Sequence, residues 1–171
     1  GQNTLTINGK NQEPKAKAPI VAFRESAASP RVVADLSAAY QGQAERVLRG
    51  VGLIDGRQVL IQDEITADDP VGAVWTMHTA ASVEVHGQTA VLKLGGKTAR
   101  LQVFEPADAK LTVDEPVLEA PQRPLKNVRR IRLKLSLTAP GGRIAVLFSP
   151  GEGPVENPRF EPLSGWTPAV R

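Results

Sequence analysis

Residues 130–137 read Arg-Ile-Arg-Leu-Lys-Leu-Ser-Leu. Ile131, Leu133, Leu135 and Leu137 occupy every second position, with Arg130, Arg132, Lys134 and Ser136 between them. Side chains alternate across a β-strand, so this spacing puts four apolar residues on one face and the polar ones on the other. A slip of one residue would turn all four apolar side chains to water, so the register is firm. The stretch predicts a strand in a sheet with one buried face.

The same grammar continues on both sides. Leu5 and Ile7 alternate with Thr4, Thr6 and Asn8, and Asn8-Gly9 follows as a turn. Residues 47–53 and 59–65 read as a hairpin across Asp55-Gly56. Residues 74–79 and 82–86 are two further strands, closed by His86-Gly87. Residues 90–94 and 99–104 flank Gly95-Gly96 as a second hairpin. Pro140-Gly141-Gly142 reads as the turn of another, from the 130–137 strand into 144–148. The Pro-rich stretch 106–124 is connection with short edge strands. The tail after Pro150, which carries Trp166, is extended or loop-like and packs on a sheet face. Helical spacing is best over 33–44, where Val33, Leu36, Ala39 and Tyr40 share a face. That stretch follows Pro30 and ends near Gly42, so it is one or two turns at most, or else a strand leading into a turn.

About ten strands on short turns predict an all-β fold, a two-sheet antiparallel β-sandwich with little helix. A closed barrel is the alternative. The 171 residues suit a single domain, and 41% hydrophobic with 23% charged residues is enough to build a core. No repeat of fixed period points to a solenoid or propeller.

Composition narrows the chemistry. Cysteine is absent, which excludes disulfides, a thiol nucleophile and Cys-ligated metals. The net charge of +3 is mixed along the chain, and only seven residues are aromatic (four Phe, two Trp, one Tyr). A nucleic-acid platform is therefore disfavoured. No run of about 18 apolar residues occurs, so no membrane span is expected. The only methionine is Met77, and the chain opens on Gly1. It is expected to be a fragment of a larger protein that carries part of the function.

The opening residues, Gly1-Gln2-Asn3-Thr4-Leu5-Thr6-Ile7-Asn8-Gly9-Lys10-Asn11-Gln12, resemble the start of the C-terminal β-domain of heparinase II/III-type polysaccharide lyases. That family has His-Asn-Thr-Leu, an Asp/Asn-Gly turn and then Gln. Similar stretches follow in order: Ala34-Asp35-Leu36-Ser37-Ala38-Ala39-Tyr40, Val47-Leu48-Arg49, Val59-Leu60-Ile61-Gln62-Asp63-Glu64 and Val74-Trp75-Thr76-Met77-His78. The matches cover about the first half of the chain; beyond it only the hairpins agree.

The resemblance implies a β-sandwich that docks on an N-terminal helical toroid, with an acidic polysaccharide in the groove between them. The implied reaction is β-elimination beside a uronic acid. It needs a base at C5, donors that neutralise the carboxylate, and a proton for the departing C4 oxygen. It also implies a periplasmic or secreted protein; family members often hold a metal ion in the β-domain through His and Asp, but no cofactor is expected here. The family's β-domain supplies one catalytic His, and the matching position here is Gln2. Glutamine donates a hydrogen bond but does not shuttle a proton near neutral pH. Three readings stay open: a toroid Tyr serves as base and acid while Gln2 holds substrate, the chemistry is altered, or the alignment or the residue itself is off at this position. The isolated domain is expected to be inactive. The alternative from another class is a non-catalytic carbohydrate-binding or structural β-sandwich module.

Other residues carry weaker signals. Asn3 reads as a substrate contact or as a backbone-bonding residue at a strand start. Arg130 and Arg132, with Arg129 and Lys134, form the densest basic cluster. Their strand face suits carboxylates or sulfates of a polyanion, or else ion pairs with neighbouring strands. A structural metal near His78 would need Asp35 or Asp63 as further ligands. His86 shares a face with Glu84 and reads as solvent-facing. Asp63 and Glu64, adjacent on a strand, point to opposite faces and cannot readily act together. Asp68-Asp69 reads as solvated turn charge. Arg49 is expected to pair with Asp35 or Asp63, and Tyr40 and Trp75 to pack in the core or at an interface.

Overall fold

A computed structural model of the chain describes residues 3–117, 127–151 and 159–166. Among these residues the strands are β1 (Leu5–Ile7), β2 (Ile20–Arg24), β3 (Arg31–Asp35), β4 (Arg46–Ile54), β5 (Gln58–Thr66) and β6 (Val71–Thr79). They continue with β7 (Ser82–His86), β8 (Thr89–Leu94), β9 (Lys97–Glu105), β10 (Leu111–Asp114), β11 (Arg129–Leu137) and β12 (Gly141–Pro150). One sheet has the order β1-β6-β11-β10, the other β2-β3-β4-β5-β12-β9-β8-β7. Every pairing is antiparallel. The fold is thus all-β, with two stacked sheets as expected.

The alternation in β11 works as its sequence dictates. Ile131 and Leu133 are fully buried and Leu137 nearly so, while Lys134 and Ser136 are exposed. With Leu5, Ile7, Trp75, Leu111, Leu101, Ile144 and Val146 they fill the space between the sheets. Burial of apolar surface on both inner faces holds the two layers together.

One connection differs from expectation. β11 and β12 do not form a hairpin, because they lie in different sheets. Thr138 accepts from the Gly141 N–H (2.7 Å), and the turn then delivers Gly141 opposite Thr66 of β5. A Cβ on Gly141 would sit 1.9 Å from the Ile65 carbonyl oxygen, and its φ is +116°. The glycine serves close approach to the other sheet, which a hairpin turn would not require. Over 33–44, the reading of a strand leading into a turn is the one found: β3 runs into a single 3-10 turn, Ser37–Tyr40. Asp35 Oδ1 accepts from the Ser37 N–H (2.9 Å) and bends the chain there. Ser37 in turn lowers the Asp35 carboxyl pKa by hydrogen bonding.

The tail has its own packing site. A second 3-10 turn, Leu163–Trp166, lies on the outer face of the larger sheet against Val33, Leu48, Leu60, Ala145 and Leu147. Gly50 makes the slot: a Cβ there would meet Leu163 Cδ2 at 2.3 Å and Trp166 at 2.8 Å. The Arg31 guanidinium stacks 5.1 Å above the indole. Among the described residues no helix is long and apolar enough to cross a membrane.

Candidate functional site

The short strand β1 is tied down at each residue. Asn3 Oδ1 accepts from the His78 backbone N–H (2.7 Å), and the Asn3 carbonyl accepts from Arg49 Nη1 (3.0 Å). Thr4 Oγ1 lies 2.9 Å from Gln12 Oε1 and 2.9 Å from the Tyr40 hydroxyl. The Tyr40 hydroxyl donates to the Leu5 carbonyl (2.8 Å). Leu5 and Ile7 then pair with Trp75 and Ala73 of β6. Burial raises the Tyr40 pKa, so its phenol stays neutral and serves as a clamp.

Beneath Asn3 sits an ion pair. Arg49 Nε and Nη2 reach Asp63 Oδ1 and Oδ2 at 2.7 and 2.9 Å, and Asp63 is fully buried. Burial works against the Arg49 charge, but Asp63 outweighs it and the Arg49 pKa rises. Of the two partners expected for Arg49, Asp63 is the one found.

The outer face of the smaller sheet gathers the basic residues. Strand register sets Asp114, Arg130 and His78 in one row, and Thr112, Arg132 and Thr76 in the next. Thr6, Asn11, Val74, Thr76, His78, Arg130 and Arg132 line a groove of about 220 Å³. Arg130 holds Asp114 through two hydrogen bonds (2.8 and 3.1 Å), and Arg132 pairs with the same carboxylate. The Arg130 hydrogen bond, first of all, keeps the Asp114 carboxyl below its usual range. His78 Nδ1 faces Asn3 Oδ1 at 3.3 Å. Burial lowers the imidazole pKa; Arg130 adds to this and Asp114 opposes it. At neutral pH the groove therefore holds a neutral imidazole beside two guanidinium groups that share one carboxylate.

Beside Asn3 the larger sheet continues without cover from the described residues. Val51 follows Arg49 on the same face of β4 and is in register with Val32 of β3, which is in register with Phe23 of β2. Phe23 is 57% exposed and Val51 36%. With Leu53 and Val59 they line an apolar depression of about 250 Å³. Asn3 thus lies at a corner where a polar groove meets an apolar face.

The structure brings Asn3, Arg130 and Arg132 to the same region, with His78 between them. Gln2 lies outside the described residues. The metal reading of His78 loses its proposed company, because Asp63 is bound by Arg49 and Asp35 by Ser37. Among the described residues no group of three or more His, Asp or Glu converges on a metal position. His86 bonds Glu84 (2.9 Å) in the open. Glu64 faces away from Asp63, accepting from the Leu163 N–H and from Gln62. Asp114 was hidden among prolines in the sequence. Its signal was the short alternation Leu111-Thr112-Val113-Asp114, which reads as an edge strand.

Comparison with known proteins bears on the fold and the family. The sequence pattern of the family "Heparinase II/III-like, C-terminal" matches residues 1–149. Comparison with curated proteins finds no match. Among solved structures, the chain is similar to the heparan sulfate lyase HepC from Pedobacter heparinus (TM-score 0.72, 13% identity, 88% of this chain and 24% of that one). It is also similar to the heparinase III gene product BT4657 (TM-score 0.66, 14% identity, 87% of this chain and 24% of that one). HI1317 shares the fold at TM-score 0.55 and 9% identity, over 78% of this chain and 65% of that one. The chain spans about a quarter of the length of the two lyases, which identity this low relates to it by fold alone. The match over residues 1–149 goes further: this chain belongs to the heparinase II/III-like C-terminal family.

Proposed function

We propose that the chain is the β-sandwich wall of a polysaccharide lyase that cleaves uronate-containing acidic polysaccharides by β-elimination, in a periplasmic or secreted protein. The observation that carries the reading is the convergence of Asn3, His78, Arg130 and Arg132 at one corner of the smaller sheet. In this reading Arg130 and Arg132 hold the acidic groups of the polymer. Asn3 stands at the catalytic edge, and Gln2 is the residue whose sequence position matches the family's catalytic His. Arg49, Asp63 and Tyr40 keep that edge in place.

The apolar face of Phe23, Val32 and Val51 supports a second part of the reading. It is the docking surface for an N-terminal helical domain, the other wall of the groove. Uncovered apolar area of this kind, next to a polar groove, suits an interface between domains. The proton-transfer groups that β-elimination requires come largely from that domain, so this chain alone is inactive. The test is to incubate the chain and a longer protein that includes the helical domain with uronate polymers, and to follow ultraviolet absorbance of the unsaturated product. The longer protein is expected to form product and the chain alone to form none. Binding of the polymer without product from either would favour a carbohydrate-binding module.

A further inference from the structure

The Asn3–His78 contact determines which ring nitrogen of His78 carries hydrogen. The His78 backbone N–H is a donor only, and it points at Asn3 Oδ1 from 2.7 Å. The amide oxygen of Asn3, and not its nitrogen, therefore occupies that position. His78 Nδ1 faces the same oxygen at 3.3 Å. Two lone pairs would repel there, so Nδ1 bears the hydrogen and donates. In a neutral imidazole the other nitrogen, Nε2, is then left with a free lone pair. Among the described residues no group bonds Nε2, and His78 lines the groove together with Thr6, Thr76, Arg130 and Arg132.

The two guanidinium groups that line the groove accept no hydrogen bonds, and the Asp114 carboxylate beside them is already engaged by both. An acidic sugar presents acceptors, in its carboxylate, and donors, in its hydroxyls. We infer that His78 binds the sugar as a hydrogen-bond acceptor: Nε2 takes a hydroxyl of the same sugar whose carboxylate rests on Arg132 and Arg130. Asn3 is the positioning residue that fixes the tautomer. The inference deepens the proposed function and rests on the groove being an acidic-sugar site. It adds a discrimination that charge alone lacks, because a free anion without a neighbouring hydroxyl would leave Nε2 unused.

The chain contains only His78 and His86, so both rings are resolved by long-range proton–nitrogen NMR, with a His86→Gln variant for assignment. The probe is an unsulfated oligosaccharide of alternating glucuronate and N-acetylglucosamine, with a neutral glucan oligosaccharide of equal length as control. The expected result is an Nδ1–H tautomer in the free chain and a shift of the Nε2 resonance when the acidic sugar is added. His78→Ala and the ring-sized His78→Phe each weaken binding by about 3- to 10-fold, the range of one hydrogen bond. Arg132→Ala weakens it independently. An Nε2–H tautomer overturns the inference. So does acidic-sugar binding that falls with Arg132→Ala but ignores both His78 variants; the groove reading then survives alone. If the acidic sugar binds no better than the neutral one, the groove reading fails and the inference falls with it.

Discussion

Arg49 meets Asp63 with two parallel hydrogen bonds inside the sandwich, and its remaining nitrogen supports the Asn3 carbonyl. Asp63 is fully buried and the Arg49 side chain is 18% exposed, so neither charge is well solvated without the other. Asp63→Asn leaves an unbalanced cation and is expected to cost about 3 kcal/mol. The double variant Arg49→Met with Asp63→Leu is expected to cost less than the single one. Urea unfolding of the three proteins checks both statements; equal stability of Asp63→Asn and the parent chain would refute them.

Tyr40→Phe removes the hydroxyl that the Leu5 carbonyl and Thr4 share. Thr4 keeps Gln12, but the buried Leu5 carbonyl loses the Tyr40 donor, and the expected loss is about 1–3 kcal/mol. The effect is local as well as global. Amide hydrogen exchange should accelerate in β1 and at its partners Ala73 and Trp75 more than in β12.

Asp114 occupies Arg130 and Arg132 from within the chain. Asp114→Asn frees both guanidinium groups and is expected to tighten binding of an acidic oligosaccharide by about fivefold at low salt, equivalent to about 1 kcal/mol. The gain should shrink as salt rises. Isothermal titration at two ionic strengths measures it, and weaker binding by the variant would contradict the assignment of this face.

The same carboxylate has a signature in pH. Arg130 lowers its pKa in the folded chain, so the folded state binds the proton less readily than the unfolded one. The stability this brings is in place above the unfolded value, about pH 3.9, and is lost as pH falls through the lower folded value. Asp114→Asn should therefore flatten that part of the acid limb of a stability–pH curve and leave the neutral region similar in slope.

Gly50→Val places a side chain where Leu163 and Trp166 pack. The overpacking is expected to cost about 1–3 kcal/mol and to lift the tail off β4. Trp75 stays buried between the sheets, so a red shift of emission reports on Trp166.

Much of the layered architecture could be read from period-2 alternation, as in Ile131, Leu133 and Leu137, because a half-buried strand leaves that mark. Hairpin turns were equally plain where Asp55-Gly56 and Gly95-Gly96 separate paired strands. What alternation does not encode is which sheet a strand joins, and so the passage from β11 to β12 read as a hairpin. β2 escaped notice because Ile20 and Val21 are consecutive and exposed, as befits an edge strand with little cover. In the site, the basic residues stood out by density and Arg49 by its motif. The counter-charge on Asp114 did not, because ion pairing across strands depends on register, which emerges only once the sheet is assembled.

The family match stops at residue 149, yet Leu163 and Trp166 close the outer side of β4, β5 and β12. The limit of kinship and the limit of the folding unit are thus different places on the chain. Gene fragments trimmed to the shared segment would lay bare Leu48, Leu60 and Leu147 and invite self-association. Expression boundaries here belong beyond Trp166, so that this lid over the sheet is kept.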